Sequence, residues 1–355
     1  MSEGIPSAYR KIHVVDMSSL DFARQTRIVE VPVEQPGPGE VLVKLEFAGI
    51  ESSDILQNSG AYGPLVGTSP EAEANGGIQL GDCGLEGVGV VAAIGEGVEI
   101  PLGKTVLIMG FGTSYREYLT CPAAQVIPVE LPASAWMTAI PISASTAACA
   151  LDISGQLQAG EQVLVTGAAG GTGQFAVQWA KVKYDARVVG TCGSQAKEDM
   201  LGRIGCDATI NYRQEDNIAA AIKAQFPDGI DVAYESVCGP LRDAVWENMA
   251  MFGRMICLGS VGDGYDTKGG FSRHQLDSNS TILQSLTCAG FYLPNLVGDP
   301  RLYAVLNDLL RYVEDGKITV ELDPVCAGFQ GLEGVYEAQA HIRTGQNIGK
   351  VFVSL

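Results

Sequence analysis

The chain contains, at residues 162–173, the stretch Gln162-Val163-Leu164-Val165-Thr166-Gly167-Ala168-Ala169-Gly170-Gly171-Thr172-Gly173. An apolar, β-branched run enters a glycine-rich turn, and residues 174–180 then place apolar side chains at helical spacing. A strand, a glycine turn and a helix in this order are typical of a dinucleotide site, because glycines let the backbone approach a pyrophosphate and the helix N-terminus attracts its charge. We therefore expect phosphate binding by Ala168, Ala169, Gly170, Gly171, Thr172 and Gly173, with Ala168 in the place of the first glycine of G-x-G-x-x-G.

Further apolar runs follow the glycine turn at regular intervals. Between them lie pieces with helical spacing, such as residues 197–204 and 241–251. Alternation of buried strands and helices predicts an α/β fold with a doubly wound parallel sheet of six strands. The five further strands are expected at residues 186–191, 207–212, 229–234, 253–259 and 286–291.

The end of the second expected strand predicts which nucleotide binds. Sites for NAD place Asp or Glu there to hold the ribose 2′-hydroxyl. This chain reads Thr191-Cys192-Gly193-Ser194-Gln195-Ala196-Lys197, with no carboxylate. A 2′-phosphate would be attracted by Lys197 and hydrogen-bonded by the Ser194 hydroxyl, so NADPH is favoured. The alternative is that Lys197 is an ordinary solvated lysine of a helix surface.

Composition excludes several classes of partner. The chain has 355 residues, a formal net charge of -18, 46% hydrophobic and 18% charged residues. Such a negative field repels nucleic acid and anionic membranes. We expect no apolar run long enough to span a bilayer, no signal peptide at the N-terminus, and a cytoplasmic protein. The nine cysteines are dispersed without any C-x-x-C, and most sit within apolar runs, which predicts that most are small buried residues in a reducing compartment.

The first 127 residues have a different pattern of apolar residues. Short apolar runs at residues 40–47, 87–95 and 104–109 are interrupted by glycines and turn signals. This pattern predicts a compact, β-barrel-like domain.

Motifs spread over almost the whole chain resemble one family. They are Gly84-Leu85-Glu86-Gly87-Val88-Gly89-Val90-Val91, the glycine turn, Gly205-Cys206-Asp207 with Asn211-Tyr212, Tyr234-Glu235-Ser236-Val237, Ala289-Gly290-Phe291-Tyr292-Leu293, and Gly349-Lys350-Val351. The chain resembles the medium-chain dehydrogenase/reductases of the zinc-free quinone oxidoreductase branch, and within it the prostaglandin reductase 3 group of enone reductases. The resemblance implies a Rossmann NADPH-binding domain at 128–317, a GroES-like catalytic domain formed by 1–127 and 318–355, and a homodimer.

The resemblance also implies which residues contact the cofactor. Those at the adenosine and phosphate end are Thr172, Lys197, Tyr212 and Ser236. Those at the nicotinamide end are Leu258, Tyr265, Phe291, Tyr292, Leu293 and Asn347. The group usually has two serines before the lysine, whereas this chain has Gly193-Ser194, so one phosphate hydroxyl is missing.

The zinc-binding members of the superfamily carry a cysteine and a G-H-E that this chain lacks. Ala48 and Leu85 stand at the two ligand places, so no metal is expected. Glu86 is then expected to hold backbone N–H groups. The usual Asn after the Gly49-Ile50 pair is Glu51, which either binds a polar group of the substrate or points to solvent.

Three functions are compatible with these residues. The first is an NADPH-dependent reductase of enones and enals, in which hydride goes to the β-carbon and Tyr265 or Tyr62 donates a hydrogen bond to the developing enolate. The second is an NADPH:quinone oxidoreductase. The third is a structural protein that binds NADPH without turnover.

Overall fold

The computed structural model describes residues 4–58, 81–263 and 277–355. Two compact units divide the chain: Met1–Ile142 with Leu322–Leu355, and Ser143–Glu321. The first boundary therefore lies at residue 142 rather than at the expected 127. The reason is that Val126–Val129 is a strand of the first unit's sheet and that the turn Ala135–Ala139 packs on three strands of the same sheet.

Fourteen strands and ten α-helices lie in the described residues. The strands are β1 Ala8–Val14, β2 Thr26–Pro32, β3 Glu40–Ile50, β4 Glu86–Ile94, β5 Thr105–Met109, β6 Tyr118–Pro122, β7 Val126–Val129, β8 Gln162–Val165, β9 Arg187–Cys192, β10 Ala208–Asn211, β11 Ile230–Glu235, β12 Met249–Cys257, β13 Thr287–Gly290 and β14 Val351–Ser354. The helices are α1 Phe22–Gln25, α2 Asp54–Asn58, α3 Ser145–Cys149, α4 Gly173–Tyr184, α5 Gln195–Arg203, α6 Ile218–Gln225, α7 Gly239–Glu247, α8 Ser278–Leu283, α9 Pro300–Glu314 and α10 Gly331–Arg343.

The first unit is built on an antiparallel sheet, as the glycine-punctuated runs predict. Its strand order is β14-β3-β4-β5-β7, with β6 also paired to β3, and β1 and β2 form a separate hairpin-like pair. Alternating side chains of β3 such as Val41, Val43 and Leu45 enter one core. The last strand, β14, brings Val351 and Val353 into a second core with α10. The C-terminal segment thereby completes the first unit.

The second unit is the predicted doubly wound sheet. All six strands are parallel, in the order β10-β9-β8-β11-β12-β13. The chain starts in the middle at β8, moves to one edge through β9 and β10, and then to the other edge through β11, β12 and β13. The order reverses beside β8, and ligands of such sheets bind at this switch point, beyond the carboxyl ends of the strands.

One helical stretch, residues 135–154, corrects the expectation that no run could span a bilayer. Among the described residues, it is the single helix long and apolar enough to do so. It combines a 3-10 turn, two π-helical turns and α3. Most of it is buried inside the protein, with Ile140, Ala144 and Ala148 fully inaccessible. Its apolar length is therefore accounted for by core packing.

Candidate functional site

The glycine turn of the second unit lies between β8 and α4. Gly167 adopts a φ of 59°, a left-handed conformation that favours glycine. A Cβ on Gly173 would overlap the carbonyl oxygen of Gly167, and one on Gly170 would lie 3.3 Å from the same oxygen. Side chains at these two positions would therefore crowd the backbone of this turn, which we call the glycine cradle. Since the first turn of a helix also leaves N–H groups without helical partners, the cradle fits a pyrophosphate.

Ala168 replaces the first glycine of the motif without disturbing the turn. Its side chain is fully buried, and its N–H donates to the carbonyl of Thr191 on β9 at 3.1 Å. A Cβ on Gly190 would lie 2.7 Å from the Ala168 methyl carbon. Gly190 thus provides the space that the alanine occupies. This packing of Ala168 against Gly190 of the neighbouring strand is not apparent from the sequence motif.

The expected adenosine end lies at the carboxyl ends of β9 and β10. Ser194 precedes α5, and its carbonyl accepts the N–H groups of Lys197 and Glu198, each at 3.1 Å. Tyr212 follows β10 and is 44% exposed. A Cβ on Gly193 would lie 2.5 Å from the Tyr212 hydroxyl. The Tyr212 hydroxyl therefore lies beside Gly193, at the place where the group usually carries the first of its two serines.

A second cation lies in the same place and was missed by sequence reasoning. The Arg213 Nε is 3.2 Å from where a Cβ on Gly193 would lie, and the residue is exposed. Glu198 is the carboxylate nearest in sequence to Lys197, but it accepts a hydrogen bond of 2.7 Å from Asn211 on β10. Lys197 and Arg213 thus both flank the turn after β9. The signal available in the sequence was the Tyr212-Arg213 pair directly after a predicted strand.

The predicted nicotinamide residues Leu258 and Phe291 follow β12 and β13, and Ser236, predicted at the phosphate end, follows β11. The N–H of Ser236 donates to the Thr166 hydroxyl at 2.9 Å, and the Ser236 hydroxyl donates to the Thr166 carbonyl at 3.2 Å. The N–H of Leu258 donates to the Glu235 carbonyl at 3.0 Å, and the N–H of Phe291 donates to the Cys257 carbonyl at 3.1 Å. Each turn is therefore fixed to the end of the strand beside it.

The remaining predicted residues differ in their exposure to solvent. Phe291 is half-buried and Tyr292 is 38% exposed, whereas Leu293 is only 5% exposed and packs inward. Asn347 belongs to the first unit, where its side-chain amide donates to the Gly349 carbonyl at 3.3 Å. Tyr62 and Tyr265 lie outside the described residues, so their roles stay predictions.

A buried cluster of one lysine and two glutamates occupies the first unit. Lys350 is 1% exposed, and its Nζ lies 2.5 Å from Glu51 Oε1, 3.2 Å from the Ile50 carbonyl and in contact with Glu86 Oε1. Glu86 Oε2 accepts the N–H of Ile142 at 2.7 Å, as expected for a carboxylate that holds backbone groups. The Glu51 side chain is only 14% exposed, so it does not simply point to solvent.

Burial and neighbouring charges shift the pKa values of Glu86 and Lys350 in this cluster. Burial raises the pKa of Glu86 well above its ordinary value, although Lys350 opposes the shift and Glu51 adds to it. Burial alone would lower the pKa of Lys350, but the charges of Glu51 and Glu86 reverse this and raise it. Lys350 therefore stays charged between the two carboxyl groups, and burial favours the protonated form of Glu86.

The residues at the two places where zinc-binding members of the superfamily carry ligands do not fit a zinc centre. Ala48 is fully buried, Leu85 is 7% exposed, and neither side chain can bind a metal. Glu86 is engaged by the ammonium of Lys350. In the described part of the chain, no group of three or more His, Cys, Asp or Glu side chains could hold a metal ion.

A further buried carboxyl, that of Asp54, lies three residues after Glu51 in the sequence. Asp54 Oδ2 accepts the N–H of Glu51 at 2.9 Å, the Gln339 amide at 2.7 Å and the hydroxyl of Tyr115. Burial raises the pKa of Asp54 to about 7, against the opposing effect of the hydrogen bonds. Asp54 thus fixes the backbone that carries Glu51, and it titrates near neutral pH.

Two known protein families match the chain, one within each unit. The family described as Alcohol dehydrogenase GroES-like domain matches residues 37–132, and the family described as Zinc-binding dehydrogenase matches residues 171–310. Prostaglandin reductase-3 of Bos taurus is 36% identical over 359 residues, covering 99% of this chain and 90% of the relative. A probable quinone oxidoreductase of Leishmania amazonensis is 34% identical over 359 residues, covering 99% of both chains.

A solved structure supports the same fold. The Escherichia coli quinone oxidoreductase complexed with NADPH superposes with a TM-score of 0.80 and 21% identity, covering 98% of this chain and 100% of that one. At this identity the likeness concerns the fold alone. The full-length relatives show more: the chain belongs to the medium-chain dehydrogenase/reductase family and is homologous to its quinone oxidoreductases and prostaglandin reductase 3 proteins.

Proposed function

We propose that this protein is an NADPH-dependent reductase of activated carbon–carbon double bonds, with hydride transfer to the β-carbon of an α,β-unsaturated carbonyl compound. The observation that carries the proposal is the glycine cradle at the switch point of the sheet, with Lys197 and Arg213 flanking the turn where an NAD site would carry a carboxylate. The relatives named as prostaglandin reductase and quinone oxidoreductase support the same class of chemistry.

The chain's own residues supply binding and charge rather than a metal. Thr172 and the turn residues would hold the phosphates, while Lys197, Arg213 and Ser194 would hold the 2′-phosphate. Bound NADPH would supply the hydride from its nicotinamide ring. Since Ala48 and Leu85 cannot bind zinc, the residues at this position are poorly suited to polarise a simple ketone. A conjugated acceptor needs less polarisation, which favours enones and enals over alcohols.

An NADPH:quinone oxidoreductase is the second candidate. It is favoured by the Leishmania amazonensis relative, which this chain covers along 99% of its length. Both candidates use the same cofactor cradle and differ only in the acceptor.

The proposal is tested by NADPH oxidation with one enone, one enal and one quinone, before and after prolonged chelation. We expect turnover of the enone and the enal that chelation leaves unchanged. Turnover of the quinone alone would favour the second candidate. Stabilisation by NADPH without turnover of any acceptor would favour a structural role. Loss of activity on chelation, restored by zinc, would contradict metal independence.

We propose a homodimer joined through the open edge of the second unit's sheet. The edge strand β13 pairs only with β12 in the described residues, and unpaired strand edges favour association. Large apolar side chains beside it are 66–73% exposed: Met251, Phe252, Ile282 and Leu283. Sedimentation equilibrium should give twice the chain mass of 37.4 kDa, and the mass of a single chain would contradict the proposal.

A further inference from the structure

Two cysteines at the edge of the second unit's sheet differ from the other seven. Cys257 lies at the end of β12 and Cys288 in β13, and their sulfur atoms are 3.5 Å apart. The pairing register places Cys257 opposite Gly290 and Cys288 opposite Met255, so the two residues are diagonal neighbours on one face of the sheet. The two cysteines are 31 positions apart in sequence, so no short sequence motif indicates that they form a pair.

Accessibility distinguishes Cys288 from the rest. It is exposed, and Cys257 and Cys206 are half-buried, whereas the other six cysteines are buried. The expectation that most of the cysteines are small buried residues is therefore confirmed by six of the nine, and Cys288 is the exposed exception. An oxidant in solution reaches an exposed sulfur first.

Electrostatics favour the thiolate at Cys288. The hydrogen bond between the two thiols and the charge of Arg242 lower the pKa of Cys288 to about 7, against the opposing effects of partial burial and of Glu235. The same hydrogen bond and partial burial raise the pKa of Cys257. By contrast, burial raises the pKa of Cys206 to about 11. Since the thiolate is the nucleophile, Cys288 is the most reactive of these three cysteines at neutral pH.

The geometry points to a modification site: we propose that Cys257 and Cys288 form a thiol pair that peroxide oxidises selectively to a disulfide within one chain. The Cys288 thiolate attacks one peroxide oxygen, so an S–O bond forms, the O–O bond breaks, and hydroxide leaves and takes up a proton. Cys257 then attacks the sulfenic sulfur, so the S–S bond forms, the S–O bond breaks, and the released hydroxide accepts the Cys257 proton. Two thiols lose two electrons and hydrogen peroxide becomes two water molecules.

The position of the pair permits the small movement that the bond needs. A disulfide brings the sulfurs to about 2.05 Å, so they must approach by about 1.5 Å. Within a single chain, β13 pairs in the described residues with a neighbour on one side only, so there its displacement breaks no second ladder of hydrogen bonds. Edge-to-edge pairing of two chains would use the backbone N–H and C=O groups of β13, whereas the disulfide joins side chains that project from the face of the sheet.

The test uses the full-length, folded protein treated with hydrogen peroxide. The thiol count after denaturation should fall from nine to seven, the intact mass should fall by about 2 Da for two lost hydrogens, and peptide mapping should join the peptides of Cys257 and Cys288. A dithiol reductant should restore nine thiols. Before oxidation, alkylation at pH 7 should label Cys288 more than tenfold faster than Cys206.

Matched variants separate the two roles. Cys257→Ser should stop at a sulfenic acid on Cys288 that dimedone traps, and Cys288→Ser should form no internal disulfide. Cys206→Ser, which changes a half-buried cysteine outside the pair, should oxidise like the unmodified protein. The proposal is overturned if peptide mapping of the unmodified protein finds all nine thiols intact, a different cysteine pair, or a bond between two chains.

Discussion

Lys197 and Arg213 are the two side chains on which the proposed preference for NADPH depends. Sequence reasoning found Lys197, because its spacing from the glycine turn is a local pattern. It missed Arg213, which approaches Gly193 only because β9 and β10 are neighbours in the folded sheet. The Lys350, Glu51 and Glu86 cluster was missed for the same reason, since Lys350 lies 299 residues from Glu51.

Removing either cation should weaken NADPH binding selectively. Lys197→Ala and Arg213→Ala should each raise the KM for NADPH about tenfold to a hundredfold, because a charge-assisted contact contributes about 1.5–3 kcal/mol. The KM for NADH should change little, since NADH lacks the 2′-phosphate. Steady-state kinetics with both cofactors measures this. Lys181→Ala, on α4 and paired with Asp207, is the control and should alter neither value. Equal losses for NADPH and NADH would refute the assignment.

Asp54 should make stability depend on pH between about 4 and 7. Its folded pKa of about 7 exceeds the unfolded value of about 3.9, so the native state binds the extra proton. The stability that this group contributes is therefore complete below pH 4, falls as the pH rises to 7, and is constant above. Asp54→Asn removes the titration. Relative to the unmodified protein, the variant should gain roughly 2–3 kcal/mol between pH 5 and pH 7.

Urea unfolding of both proteins at pH 5, 6, 7 and 8 measures this difference. The exposed Asp216→Asn change serves as the control and should give a curve parallel to that of the unmodified protein. Curves for Asp54→Asn and the unmodified protein that stay parallel over the whole range would show that Asp54 ionises normally.

The strand, turn and helix at residues 162–184 form the element that sequence reasoning predicts best. Residues adjacent in sequence determine its glycine spacing, so a local pattern suffices. The replacement of the first glycine by Ala168 is different, because its tolerance depends on Gly190 in the neighbouring strand. Contacts between strands carry no fixed spacing in the sequence, and this compensation became visible only in the folded sheet.

The coupling between these two positions can be measured. Gly190→Ala places a methyl group 2.7 Å from that of Ala168 and should cost about 1–3 kcal/mol of unfolding free energy. Ala168→Gly on the same chain should recover part of this loss, although Cys206 and Leu201 also lie close, at 3.2 and 3.3 Å. A double-mutant cycle from urea unfolding should give a coupling of at least about 0.5 kcal/mol. Additive effects would show that the two residues do not share this space.

At the scale of the whole molecule, the sequence predicted both units and the return of the C-terminal strand to the first one. Alternating apolar runs predicted the six parallel strands, and shorter glycine-punctuated runs predicted the antiparallel unit. The exact boundary was not predictable, because residues 126–142 join the first unit through strand pairing and packing rather than through a change of composition. The expectation that no run could span a bilayer overlooked residues 135–154, whose apolar side chains are explained by their burial.

The central claim is that a hydride moves from NADPH to the β-carbon of a conjugated carbonyl compound. The most direct measurement uses NADPH carrying deuterium at the transferred position, a simple enone, and NMR of the product. We predict one deuterium at the β-carbon of a saturated ketone, since hydride adds there. Deuterium on the carbinol carbon of an unsaturated alcohol, or a saturated product without deuterium at the β-carbon, would contradict the account.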